Sequence, residues 1–171
     1  GVENGDDWML RNVIKKGQTV DMVRKAFKYS KKAKLQTMGF FIFGMPGETE
    51  ESMEKTIKLA MELDPDLAHF MMAAPFPGTE MWDQLVEHGH MLDTIDWTEL
   101  AIQDNKAHFA FGELDKAVVE QKWHEAHRRF YLRPKRIMRI ATRKDTWQRL
   151  PYYAKTAANM LLGLGEREAT A

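Results

Sequence analysis

The chain has 171 residues with a hydrophobic share of 44%, enough for one domain with a buried core. Its 25 basic and 25 acidic side chains balance, so global charge gives no reason to expect a nucleic-acid partner. Cysteine is absent, which excludes disulfides, thiolate nucleophiles and cysteine-ligated zinc or iron–sulfur sites within these residues.

In chain order, Gly1-Val2-Glu3 reads as the end of a strand, and because the chain does not open on Met the true N-terminus is expected upstream. Asp6 to Lys16 reads as a short helix stopped at Gly17. Thr19 then caps a helix from Val20 to about Lys34 that turns Val23, Phe27, Tyr29 and Ala33 inward. A strand follows over Gln36 to Phe43, and its continuous apolar block predicts parallel pairing with helices on both faces. Thr49 caps the helix Glu50 to Leu63, in which Met53, Ile57, Ala60 and Met61 share one face. Asp64-Pro65-Asp66 breaks it, and a second apolar strand runs from Leu67 to Ala73. After Pro75-Phe76-Pro77-Gly78, Thr79 caps a helix through about His88. Strand, helix, strand and helix with short loops imply right-handed crossovers.

Beyond Gly89 the pattern changes. Residues 90 to 112 read mostly as loop, Glu113 to Leu132 as a helix carrying Val119, Trp123, Ala126 and Phe130 inward, and Lys135 to Lys144 and Thr146 to Leu164 as two more helices. The expected organisation is α/β over 1–89 with a helical extension over 90–171. Two strands and a stub leave backbone groups unpaired and one face uncovered. The chain is therefore expected to be the carboxyl half of a larger α/β barrel or sheet.

The chemistry concentrates where the first full strand ends. Gly44 and Gly47 permit positive φ and close approach of backbone to a flat ligand, and Pro46 stiffens the turn between them. Glu48, Glu50 and Glu51 surround the next helix N-terminus, each stabilising it by about 0.3–1 kcal/mol and repelling phosphate. The loop reads as a site for a neutral or cationic group, against the plainer reading of a strand-turn-helix without a ligand; a P-loop is excluded because the Gly-Lys-Ser/Thr ending is missing. Ligands of parallel sheets bind beyond the carboxyl ends of the strands. The pocket is accordingly expected to be lined by Glu3, Ile42, Gly44, Met45 and Ala74 or Pro75.

Two further clusters carry competing readings. His124 and His127 can share a helix face, but no acid completes a metal site convincingly, and no metal ligands or catalytic residues are assigned within the chain. His69 reads as a core histidine more readily than as a substrate contact. Arg128, Arg129, Arg133, Lys135, Arg136, Arg139, Arg143, Lys144 and Arg149 are opposed only by Asp145 between residues 128 and 149. That run suits either a solvated face docking an acidic neighbour or a peripheral contact with anionic lipid. No run approaches the ~20 apolar residues of a membrane span and no signal peptide is visible, so the expected location is the cytoplasm, with membrane association as the variant.

Gly1-Val2-Glu3-Asn4-Gly5, Ile42-Phe43-Gly44-Met45-Pro46-Gly47-Glu48-Thr49 and Pro75-Phe76-Pro77-Gly78-Thr79 together resemble strands four, five and six of a radical SAM enzyme. The resemblance implies the C-terminal part of a partial (β/α)6 barrel holding a 4Fe-4S cluster and S-adenosylmethionine, which the cluster cleaves reductively to a 5′-deoxyadenosyl radical. Phe130-Tyr131-Leu132-Arg133-Pro134 with Lys135-Arg136-Ile137 resembles the tail of the group that carries an N-terminal cobalamin-binding domain, which implies cobalamin-dependent methylation among the outcomes. Carried over, Glu3 approaches the ribose or methionine part of the cofactor, Ile42 and Gly44 contact adenine, and Glu48 stabilises the loop. Asn4 and Asp6 replace the usual serines. The family's Cys-x3-Cys-x2-Cys loop is absent, so the implied partners are the missing N-terminal half, a reductant such as flavodoxin or ferredoxin and a small-molecule substrate, with no nucleic acid. The alternative is a non-catalytic α/β interaction module that uses its basic helices to hold a partner or a membrane surface.

Overall fold

The β-strand positions alternate in burial, and that alternation fixes where the helices lie. Strands β1 (Met38–Phe43) and β2 (Leu67–Met72) bury Gly39, Phe41, Phe43, Ala68, Phe70 and Met72, while Phe40, Ile42, His69 and Met71 on the opposite face are only half-buried. The computed structural model describes residues 1–87, 107, 109, 114–141, 154 and 158. Within them the order is α1 (Asp7–Met9, continued by a π-helical turn over Leu10–Ile14), α2 (Val20–Lys32), β1, α3 (Glu50–Leu63), β2, α4 (Glu80–Glu87), α5 (Lys116–Tyr131) and α6 (Pro134–Ala141).

The sheet is parallel, with Met38 paired to Leu67 and Phe43 to Met72. Glu3 forms a third, single-residue parallel bridge to Phe41: Val2 and Glu3 donate their N–H groups to Phe40 O at 3.0 and 2.8 Å, and Ile42 N–H donates to Glu3 O at 2.8 Å. The fully buried face packs on α3 and α5, and Phe41, Phe43, Phe70, Met53, Ile57, Val119, Ala126 and Phe130 form one core. An apolar block on both faces had implied helices on both sides. Among the described residues the packing helices lie on one face, and the half-buried residues on the other explain the apolar sequence without a second helical layer.

Helix α3 starts where expected because Thr49 Oγ1 accepts from Ser52 N–H at 3.2 Å while Ser52 Oγ accepts from Thr49 N–H at 2.9 Å, a reciprocal cap that satisfies two otherwise orphaned donors. Helix α1 is shorter than the sequence pattern implied. Asp6 caps it, accepting Trp8 N–H at 2.7 Å, and after the π-helical turn Lys15 adopts φ 54°, which ends the helix before Gly17. Tyr29 and Ala33, expected inward on α2, are exposed, because Val20 and Val23 already define the side that meets the core. The loop over 90–112 and the helix over 146–164 lie outside the described residues, apart from a few positions, as does the boundary at residue 89.

Helix α5 does more than cover the sheet. Tyr131 Oη donates to Ala68 O at 2.6 Å and accepts from Ala68 N–H at 3.3 Å, and Trp123 Nε1–H donates to Phe70 O at 2.9 Å. Ala68 and Phe70 point these backbone groups away from β1, so two aromatic side chains occupy the β2 edge where another strand would bond. Much of the basic run is also used internally. Arg129 pairs with Glu54 and Glu125; Arg133 and Arg139 pair with Asp64 at 2.8 and 2.7 Å. Arg136, buried against the Phe130 and Tyr131 rings, donates to Pro65 O and Asp66 O. Four of the cations offered to a membrane surface thus hold α5 and α6 on α3 and the α3–β2 turn. No helix among the described residues is long and apolar enough to cross a membrane.

Tyr131→Phe should therefore lower stability by about 1–3 kcal/mol, since it leaves buried backbone groups of Ala68 unpaired. Urea unfolding measures it; a midpoint equal to that of the parent would remove the edge-capping role.

Candidate functional site at the carboxyl edge of the sheet

Because β1 and β2 end in register and Ala73 N–H donates to Phe43 O at 2.8 Å, the chain leaves both strands on the same edge. Gly44 and Met45 follow β1 there, Ala74 and Pro75 follow β2, and Glu3 lies beside Ile42 through its backbone bond. The six residues expected to line a pocket thus share one end of the sheet. Their exposure differs: Pro75 is buried, while Glu3, Ile42, Gly44, Met45 and Ala74 are half-buried. Glu3 has φ 67°, an uncommon conformation for a residue with a side chain, and its Oε1 accepts from Lys16 Nζ at 2.6 Å.

Glu48 holds this edge together. Its carboxylate is 4% exposed and folds back onto the loop that precedes it: Oε2 accepts from Gly44 N–H at 2.6 Å and Met45 N–H at 3.1 Å, and Oε1 accepts from Asn4 Nδ2 at 2.7 Å. Burial pushes the carboxyl up to about 7, against the pull of those three donors. Glu48 is a loop-holding residue in this geometry, as the sequence implied. The same bonds change one expectation, since the N–H groups of Gly44 and Met45 are spent on Glu48 and do not face a ligand.

Asn4 and Asp6 also acquire roles that the sequence did not show. Asn4 is fully buried; its Oδ1 accepts Asp6 N–H at 2.9 Å while its amide reaches Glu48. Asp6 receives Lys55 Nζ at 2.8 Å, tying α1 to α3. Between them Gly5 lies so close to α3 that a Cβ would fall 2.4 Å from Lys55 O, and its N–H donates to Thr56 Oγ1 at 2.9 Å. The signal was the polar pair Asn4 and Glu48 flanking glycines, but 44 residues separate them and only folding joins them.

Gly44 has φ 81°, and a Cβ there would meet Val119 Cγ1 of α5 at 3.1 Å. The side-chain direction at Gly44 is thus filled by the core helix, which alters what a substitution there would report. His127 and His69 are packing groups. His127 Nδ1 lies 3.0 Å from Trp123 O, and its ring packs against Phe70 and Trp123; burial pushes it down to about 4, so it is neutral at physiological pH. His69 packs its ring on Phe40 across the half-buried face.

No family model matches the chain. It is 34% identical over 165 residues, 95% of its length, to an uncharacterized methyltransferase of Pyrococcus horikoshii. It is 30% identical over 71% of its length to an anaerobic magnesium-protoporphyrin IX monomethyl ester cyclase of Cereibacter sphaeroides, and 30% identical over 52% to a cytidylyl-2-hydroxyethylphosphonate methyltransferase of Streptomyces wedmorensis. The chain belongs to the radical SAM superfamily. It spans 33%, 19% and 18% of the lengths of these three relatives, so what a whole protein of the superfamily does is more than these residues contain. Membership gives the carboxyl edge its interest, because the three stretches that resemble the superfamily, 1–5, 42–49 and 75–79, all converge there.

Two outcomes follow. Gly44→Val should destabilise the fold itself, by about 1–3 kcal/mol, through the positive φ and the contact with Val119; a variant with parental thermal stability would show that neither constrains the site. Glu48→Gln turns an Nε2 donor toward either Asn4 Nδ2 or the Gly44 and Met45 amides and should cost about 1–3 kcal/mol. Its pH profile is more telling. Between about pH 4.5 and 7 Glu48 is protonated when folded and ionised when unfolded, so its contribution falls as pH rises, by about 1.4 kcal/mol per unit. His127 is neutral when folded and charged when unfolded between about pH 4 and 6.5, so its contribution rises with pH over nearly the same window. In the parent, Glu48 offsets part of the rise with pH that His127 and the likewise depressed His124 contribute, so Glu48→Gln should lose more stability than the parent as pH falls from about 6.5 to 4.5. Parallel profiles of urea midpoints would refute the assignment.

Proposed function

We propose that the chain forms the S-adenosylmethionine-binding side of a radical SAM barrel, residues 1–89 supplying strands four to six and 90–171 a helical C-terminal extension. The observation that carries this reading is the convergence, on one sheet edge, of Glu3, the pinned Gly44-Met45 loop and the Ala74-Pro75 turn. The chain has no cysteine, so it cannot hold an iron–sulfur cluster of the thiolate type; the cluster ligands belong to the rest of the polypeptide. The residues present do fit S-adenosylmethionine. Glu3 offers an acid to a sulfonium- and ammonium-bearing ligand, and Ile42 and Met71 offer half-buried apolar surface to a flat base.

When bound, the cluster supplies the electron that cleaves S-adenosylmethionine reductively. The residues of this chain bind and orient. Glu48 fixes the path of the loop so that the Gly44 region presents one shape to the ligand, and its buried carboxyl takes up the loop's own donors. Lys16 keeps the Glu3 carboxylate in place until a cationic group arrives.

Methyl transfer is the outcome we favour, supported by the methyltransferase names of two of the relatives described above, with cobalamin bound by a domain elsewhere in the polypeptide and a separate electron-carrier protein as reductant. Anaerobic reconstitution with iron, sulfide and dithionite tests the central claim. The complete polypeptide should release 5′-deoxyadenosine and these 171 residues alone should not. Product from the 171 residues, or none from the reconstituted complete protein, would overturn it.

A further inference from the structure

Two adjacent lysines hold acids that belong to two different strand ends. After the π-helical turn, Lys16 Nζ donates to Glu3 Oε1 at 2.6 Å, and Lys15 Nζ donates to both carboxylate oxygens of Glu80 at 2.8 and 2.6 Å. Glu3 sits on the segment that bridges β1 at Phe41. Glu80 opens α4 and is reached from β2 through a turn closed by Thr79 N–H to Phe76 O at 3.1 Å. Phe41 pairs with Phe70 of β2 on its other side, so β1 lies between the two acids. A link from Glu3 through Lys16 and Lys15 to Glu80 therefore crosses the end of β1, where Gly44 and Met45 leave the strand.

The base of this link is fixed and its tip is not. Leu10 is fully buried, Ile14 packs against the core, and Gln18 Nε2 donates to Val2 O at 3.0 Å. Between these anchors Lys15, Lys16 and Gly17 are exposed, and no atom lies within 4 Å of where a Gly17 Cβ would sit, so the tip stands clear of the body. Left-handed backbone at Lys15 (φ 54°) and Gly17 (φ 68°) puts a bend at each end of the tip. The Lys15 and Glu80 side chains are 54% and 63% exposed, and an ion pair so open to water breaks and re-forms without disturbing the core.

We propose that Lys15 and Glu80 form a strap that gates the carboxyl edge and sets how fast S-adenosylmethionine enters and leaves. The assignment of that ligand rests on the cofactor site proposed above. An ammonium group arriving at Glu3 releases Lys16, and the Lys15–Glu80 pair is then the tie that keeps the tip closed. Opening the tie moves a surface segment only, as in other loops that gate a site. A staple between two helices needs no such position; one laid across the glycine loop closes the way to it.

The test uses the complete polypeptide carrying Lys15→Met, Glu80→Gln, or the reversed pair Lys15→Glu with Glu80→Lys. Stopped-flow fluorescence without reductant follows S-adenosylmethionine binding while the cofactor stays intact. Either single variant should speed both association and dissociation by about two- to fivefold, the factor by which loss of an exposed ion pair shifts a closing equilibrium. The reversed pair should bring both rates back, and urea midpoints should match that of the parent. A second readout needs no cofactor. With Met71→Cys as reporter on the half-buried face below the edge, N-ethylmaleimide labelling of position 71, read by peptide-resolved mass spectrometry, should quicken by a similar factor when Glu80→Gln is added. Labelling that responds while the parent binds no S-adenosylmethionine would keep the strap as a gate of the edge and remove the cofactor reading. Binding whose rates no variant changes, or labelling that Glu80→Gln leaves unchanged, would overturn the strap and leave the cofactor reading standing.

Discussion

A single buried carboxylate organises the end of this molecule where the chemistry is expected. Glu48 reaches back from the start of α3 to the two amides that follow β1 and to Asn4, just beyond the Glu3 bridge. Each such bond contributes about 0.5–1.5 kcal/mol net, and leaving its buried partner unpaired would cost about 1–3 kcal/mol. The larger effect is geometric. A loop that contains two positive-φ glycines and a proline has few contacts of its own, and without an internal acceptor its direction would be set only by its ends. The burial that raises the carboxyl's affinity for a proton is the same burial that keeps water from competing for its three donors.

The second organising element is α5, which contributes to the core, the sheet edge and the site at once. Val119 lies under Gly44, Ala126 and Phe130 fill the buried face, and Trp123 and Tyr131 satisfy the outer backbone groups of β2. The arginines that follow extend this grip to Asp64, a left-handed residue that closes α3 and gathers three guanidinium groups around its carboxylate. Partners with opposite charge hold the Asp64 carboxyl below its usual range despite its partial burial. A sequence run that looks like a free cationic patch is thereby largely a fastening between helices, with Arg128 and Lys135 left facing solvent among the described residues.

Sheet and loop together explain why the two strand-end loops meet on one edge. Parallel strands of equal length bring the glycine loop and the proline turn to the same side, and the half-buried face of Phe40, Ile42, His69 and Met71 continues inward from them. The buried face is closed by α3 and α5.

The strands, the caps at Thr19, Thr49 and Thr79 and the parallel order were legible in the sequence, because apolar runs, hydroxyl caps and glycine or proline breaks are local signals whose cause lies within a few residues. So was the meeting of the two strand-end loops on one edge, since that needs only the parallel order of the elements. The exposed Tyr29, the short α1, the one-sided helical layer and the Asn4–Glu48 bond were not. Each depends on which of several apolar or polar residues finds a partner, and that partner lies far away in the chain. Composition and pattern fixed what could be buried; the tertiary structure decided what was, because only the packed chain determines which donors lose their water and which arginine finds its acid.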